Sequence, residues 1–217
     1  MEKKIQKAYE DSKNVYDDIL THDSFLSKIY NKIFWNGVND NEISDKLLSN
    51  IPNDFSGKIL DIPVGTAIFT SKKWNNLKKS NIICIDISID MLRIANKRIN
   101  QPNISLIKGD VGQLPFEDNF FDIVFSMNGF HAFPDKKKAF NETWRVLKKG
   151  GYFIGCFYIK GESKITDWLI NTILSKKGWF SPPFYTKDEI KNLLSLKYFD
   201  IKIYNDGSIA YFSCIKS

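Results

Sequence analysis

From about residue 58 to its C-terminus the chain alternates short apolar runs with stretches of helical period, and few folds accept that pattern. The runs cover 58–62, 81–86, 104–108, 121–126 and 152–158, each of a length suited to a strand. Amphipathic stretches separate most of them. One follows the first run over 66–79; another is capped by Ser88 and carries Leu92, Ala95 and Ile99 on one face; a third spans 136–147. Strands joined through helices return to the same end of the sheet, so they lie parallel with helices on both faces. Gly150-Gly151 is expected to end the third helix and open the fifth strand. An apolar helical segment at 164–175 follows, and then a capping box, Thr186 with Glu189, starts another helix. Two last strands, 199–204 and 209–215, flank Asn205-Asp206-Gly207-Ser208, a hairpin turn that makes the final strand antiparallel.

Residues 1–57 differ. They carry helical and aromatic patterning without strand signals, and read as an N-terminal helical cap before a domain over 58–217. Within that domain, 160–185 is a candidate lid insertion. The chain's 217 residues and 43% hydrophobic content suffice for one large core. No stretch reaches the roughly 20 apolar residues that span a bilayer, and the N-terminus is charged, which predicts a cytoplasmic protein. The net charge of +6 comes from scattered lysines, with Arg93, Arg98 and Arg145 the only arginines. A nucleic-acid surface would concentrate its basic residues and favour arginine, so nucleic acid is not an expected partner. Cys84, Cys156 and Cys214 each sit in an apolar run without a C-x-x-C motif, as reduced core thiols do.

Open parallel sheets bind ligands beyond the carboxyl ends of their strands, where the strand order reverses. The first strand ends in Asp61-Ile62-Pro63-Val64-Gly65-Thr66-Ala67, with Gly65 free to adopt a turn closed to other residues. Asp86 ends the second strand and is placed to bind two ribose hydroxyls. Asp110-Val111 follow the third, and Asn128-Gly129-Phe130-His131 follow the fourth. Each signal has a bland counterpart: the carboxylates as turn or helix caps, the aromatics as core. Their order on consecutive strands favours a site.

These stretches resemble the class I S-adenosylmethionine-dependent methyltransferases, in the branch of the ubiquinone and menaquinone biosynthesis enzymes. The likeness is carried by Ile59-Leu60-Asp61 with Gly65-Thr66, Asp86-Ile87-Ser88 with Met91-Leu92, and Gly109-Asp110-Val111 with Leu114-Pro115-Phe116. Phe121-Asp122, 145–151 and the N-terminal Val15-Tyr16-Asp17-Asp18 add to it. The resemblance implies a doubly wound, Rossmann-like α/β sheet of order 3-2-1-4-5-7-6 and S-adenosyl-L-methionine as cofactor. It also implies the site residues. Asp61, Pro63, Gly65 and Thr66 would lie along the methionyl part, Asp86 at the ribose, and Ile87 and Met91 against the adenine. Asp110 and Val111 would meet the adenine edge, and Asn128 would lie near the sulfur. Pro63 and Ala67 stand where the family usually has glycine.

The implied reaction is in-line methyl transfer to a small-molecule acceptor, aromatic or quinone-like. His131 is the candidate general base, and Tyr16, with Tyr30 and Trp35, a candidate contributor to the acceptor pocket. The competing reading makes His131 a structural residue of an aromatic loop. Lys136-Lys137-Lys138 reads as a solvated helix start. A nicotinamide-dependent oxidoreductase would need G-x-G-x-x-G at the first turn, which 63–67 lacks. A methyltransferase of RNA or protein and a non-catalytic cofactor binder remain as alternatives. Ser181-Pro182-Pro183-Phe184 follows the fifth strand rather than the fourth, and is therefore not an amine-methylating Asn-Pro-Pro-Phe motif.

Overall fold

The computed structural model describes residues 39–217. Tyr16, Tyr30, Trp35 and most of the expected cap lie outside them. The described chain begins with helix α1 (Asp40–Leu48), whose N-cap Asn39 accepts from the Asn41 N–H. A seven-stranded sheet follows, of order β3-β2-β1-β4-β5-β7-β6. Its strands are β1 (Lys58–Asp61), β2 (Asn81–Asp86), β3 (Ile104–Lys108), β4 (Phe121–Met127), β5 (Leu147–Tyr158), β6 (Tyr198–Asp206) and β7 (Ile209–Lys216). β7 runs antiparallel to both its neighbours, and the other pairs are parallel. The resemblance implied this order. The two-residue turn at Gly207-Ser208, with Gly207 at φ +48, makes the last pair a hairpin.

Helices cover both faces. Ile59, Ile123, Phe125 and Met127 share one core with α1, α2 (Ser71–Asn76) and α3 (Ile89–Arg98). Leu60, Val124, Phe153 and Phe212 share the other with α4 (Lys136–Val146) and α7 (Lys187–Ser195). Side chains alternate between faces along a strand, so each strand feeds both cores and is apolar throughout. Between β5 and α7 the chain forms α5 (Lys164–Leu169), a π-helical turn (Ile170–Leu174) and α6 (Ser175–Lys177). Ile170 and Leu174 are buried in the first core.

Three local expectations are corrected. The helix after β1 starts at Ser71 instead of Thr66, because 64–70 turns back over the strand end. β5 begins at Leu147 instead of Tyr152. The glycine pair therefore lies inside the strand, at an irregularity opposite Phe121 and Ile123 where Gly150 takes φ +73. Lys136 is buried, 4% exposed, whereas Lys137 and Lys138 are exposed. Its ammonium donates to the carbonyls of Phe133 and Ser181, which ties the start of α4 to the loop after α6. Burial lowers its pKa to about 8.

Candidate cofactor cleft

β1 lies between β2 and β4, so the strand order reverses at its C-terminal end. The turn after β1 is pinned to both neighbours. The Ile62 N–H donates to the Phe125 carbonyl, and the Val64 N–H to the Ile85 carbonyl, each at 2.9 Å. Above this turn opens a cleft enclosing about 1080 Å³, its mouth included. Asp61, Pro63, Gly65, Thr66, Asp86, Ile87, Met91, Asp110, Val111 and Asn128 all line it. The structure thus brings together every position that the resemblance assigned to the cofactor. It adds Met127, Phe133, Pro134, Ile68, Phe69 and Thr70 to the walls.

Asp61 is 1% exposed, and its Oδ2 accepts from Trp74 Nε1 at 2.7 Å and from Thr70 Oγ1 at 3.0 Å. Burial outweighs these two bonds and raises its pKa to about 7. Asp86, also buried, accepts from the N–H of Gly65 at 2.9 Å and of Ser88 at 2.8 Å. Burial raises it to about 6 against those backbone donors. Asp110 is exposed and accepts from the Gly112 N–H at 2.8 Å. Among the described residues three carboxylates line the cleft and no basic side chain does, in a chain of net charge +6. Two of the three stay out of water at a cost that a cationic ligand would offset.

Sequence reasoning missed the partners that hold Asp61. Thr70 and Trp74, four residues apart just after the strand end, share a helical face, and that spacing was the available signal. Trp74 is fully buried and packs edge-on against Phe125 at 5.5 Å.

Backbone conformation follows from the same close approach. Gly65 has φ +56, and a Cβ there would meet nothing within 4 Å, which leaves room above it. Ala67 takes φ +58 and Asn128 φ +53, left-handed values that cost an alanine more than an asparagine. Gly129 has no freedom to change: a Cβ would sit 2.2 Å from Pro63 Cδ. Asn128 donates from Nδ2 to Asp40 Oδ1 at 3.1 Å, linking the cleft to α1 across 88 positions of sequence.

His131 does not join this group. It is 8% exposed, lies outside the cleft lining, and stacks on Phe180 at 4.2 Å. Its Nδ1 accepts from the Tyr158 N–H at 3.2 Å, and its carbonyl from the Ser181 N–H at 2.9 Å. Burial lowers its pKa to about 3. With Nδ1 engaged, the remaining ring nitrogen carries the proton and accepts none. These contacts join β5 to the loop at 178–185 through His131. Among the described residues, no group of three or more His, Cys, Asp or Glu side chains is placed to hold a metal ion.

Residues 60–155 match the family model for a methyltransferase domain. An uncharacterized chloroplastic methyltransferase of Arabidopsis thaliana is 31% identical over 144 residues, covering 63% of this chain and 40% of that protein. The demethylmenaquinone methyltransferase of Chlamydia caviae is 33% identical over 93 residues, covering 43% of this chain and 40% of that one. The chain therefore spans about two fifths of the length of these relatives. A SAM-dependent methyltransferase of Thermotoga maritima shares the fold over 98% of this chain and 100% of its own, at TM-score 0.71 and 19% identity. The chain thus carries a match to a methyltransferase domain over 60–155, on a sheet of order β3-β2-β1-β4-β5-β7-β6 whose fold a SAM-dependent methyltransferase shares.

Proposed function

We propose that the chain binds S-adenosyl-L-methionine in this cleft and transfers its methyl group to a small, largely apolar acceptor. One observation carries the reading: among the described residues, three carboxylates and no basic side chain line a cleft in a basic protein. Such a cleft rejects phosphorylated nucleotides, which need basic or backbone donors, and favours a ligand with positive centres. When bound, the cofactor supplies a sulfonium-activated methyl, an electrophile that needs little further activation.

The protein's own residues then bind, orient and exclude water. Asp61, rigidly held by Trp74 and Thr70, is positioned to take the amino group of the methionyl part. Asp86 has acceptor capacity beyond its backbone bonds and is assigned the ribose hydroxyls. Ile87 and Met91 form the apolar wall for the adenine, and Asp110 with Val111 its polar edge. Pro63, Gly65 and Thr66 form the floor, and Asn128 the wall toward α1. Among the described residues no histidine lines the cleft, which suits an acceptor that is already nucleophilic or ionised at neutral pH.

The apolar acceptor is inferred from Met127, Ala132, Phe133 and Pro134 at the β4 end of the cleft. The naming of one relative for demethylmenaquinone supports the same reading. Calorimetric titration with S-adenosylmethionine and with S-adenosylhomocysteine tests the cofactor, and transfer of labelled methyl to demethylated quinols and phenols tests the acceptor. Absence of heat with both cofactor forms would refute the reading.

A further inference from the structure

The segment 164–177 has two apolar faces, and among the described residues only one is packed into the core. Thr166, Ile170 and Leu174, spaced by four, are 0–1% exposed, and Ile170 and Leu174 pack into the sheet core. On another side Ile165 is 65% exposed, Trp168 60% and Ile173 38%. The π-helical turn explains how the last of these joins the stripe. In an α-helix a residue five positions beyond Trp168 points well away from it, whereas a π-turn brings i and i+5 close to one side. Large apolar side chains on a surface helix cost solubility unless something covers them.

Charge indicates what does. Lys164 precedes the stripe, and Lys176 and Lys177 follow it, all exposed. The one acid within the segment is turned inward: Asp167 accepts from Tyr158 Oη at 2.6 Å and from the Gly161 N–H at 2.9 Å. Three apolar side chains are far fewer than the roughly 20–30 residues a side that a stable protein interface uses. A Trp and two Ile between lysines suit the boundary between headgroups and acyl chains of an anionic bilayer. No described helix is long and apolar enough to cross a membrane, so the contact would be peripheral.

We infer that this segment is a membrane-surface contact, which holds the protein on anionic lipid by the Ile165–Trp168–Ile173 face and its flanking lysines. The same segment buries Ile170 and Leu174 in the core that also holds Val64 and Met127 of the cleft walls, so the lipid-facing helix and the cleft share one core. The inference goes beyond methyl transfer and stands without it.

Co-flotation of the full chain with vesicles tests it. Equimolar phosphatidylglycerol and phosphatidylcholine should retain the protein, and phosphatidylcholine alone should retain far less. Binding should weaken with added salt. Trp168→Ser combined with Ile165→Ser should lower the apparent affinity at least about tenfold, as should Lys164→Glu combined with Lys176→Glu. Neither pair touches the cleft, so the heat of S-adenosylhomocysteine binding should stay unchanged and report an intact fold. Failure of the full chain to float with anionic vesicles overturns the inference. So does retention that survives both pairs of substitutions. A halving of molar mass in light scattering on Trp168→Ser would overturn it in favour of a second copy of the chain.

Discussion

Replacing Asp61 by Asn should make the unliganded protein more stable and the liganded protein less so. The argument begins with burial. Asp61 is 1% exposed, and its pKa of about 7 compares with 3.8 for a carboxyl in water. A folded value raised above the unfolded one means that folding favours the protonated form. The contribution is fully favourable below pH 4 and is lost as pH rises through about 7. At pH 8 the folded chain holds an ionised carboxylate, and the gap between the two values sets a ceiling of about 4 kcal/mol on that cost. Coupling to Asp86 and relaxation around the turn reduce the recoverable part to about 1–3 kcal/mol. An Asn at 61 keeps an oxygen that can accept from Trp74 Nε1 and Thr70 Oγ1, so neither donor is orphaned.

Urea unfolding of Asp61→Asn and the parent, without ligand, at pH 4.5 and pH 8 reads this directly. The variant should gain about 1–3 kcal/mol at pH 8 and little at pH 4.5. Titration with S-adenosylhomocysteine at pH 7.5 should then show at least about a tenfold loss of affinity, since a carboxylate–ammonium contact becomes a neutral one. Destabilisation at pH 8 would refute the argument from burial. Unchanged affinity would remove Asp61 from the ligand's contacts.

Affinity for the same ligand in the parent should rise between pH 6 and pH 7.5, as Asp86 and Asp61 ionise through about 6 and about 7. It should fall at more alkaline pH, where the ligand's amino group loses its proton and with it the charge that Asp61 would meet. Calorimetry across that range checks both limbs. Ala67→Gly relieves a left-handed alanine at φ +58 but gives up a buried methyl and adds entropy to the unfolded chain, so stability in urea titration should change by less than about 1 kcal/mol. Gly129→Ala places a Cβ 2.2 Å from Pro63 Cδ and 2.9 Å from Phe133 Cζ; it should destabilise by about 1–3 kcal/mol and weaken ligand binding. His131→Phe keeps the stack on Phe180 but loses the bond from the Tyr158 N–H, so stability should fall by about 1–2 kcal/mol. The pH profile of methyl transfer should be unmoved by it.

What the sequence disclosed and what it withheld divide along a physical line. Strand ends were readable because each ends an apolar run in a small or acidic residue. A parallel sheet sends all such ends to one rim, so Asp61, Asp86 and Asp110 needed no contact information to be placed together. The burial of Lys136 was not readable. Three consecutive lysines look solvated, and only the return of the chain some 45 positions later puts the Ser181 carbonyl over the first of them. The partners of His131 were unreadable for the same reason: they are Tyr158 and Phe180, on elements whose approach no local pattern encodes.

The same line explains why the first turn tolerates its departures from glycine. Pro63 needs no N–H, and the two N–H groups that hold the turn to its neighbours belong to Ile62 and Val64, on either side of it. Gly65 is the position where glycine is required, since its left-handed N–H reaches Asp86 and its Cα faces open space. Ala67 stands in the same left-handed region, but its methyl is buried, 1% exposed, against the first core, and that packing offsets part of its strain. A glycine count at the turn would therefore understate the site. The requirement is for one left-handed N–H aimed at the second strand's carboxylate, and this chain meets it with a single glycine.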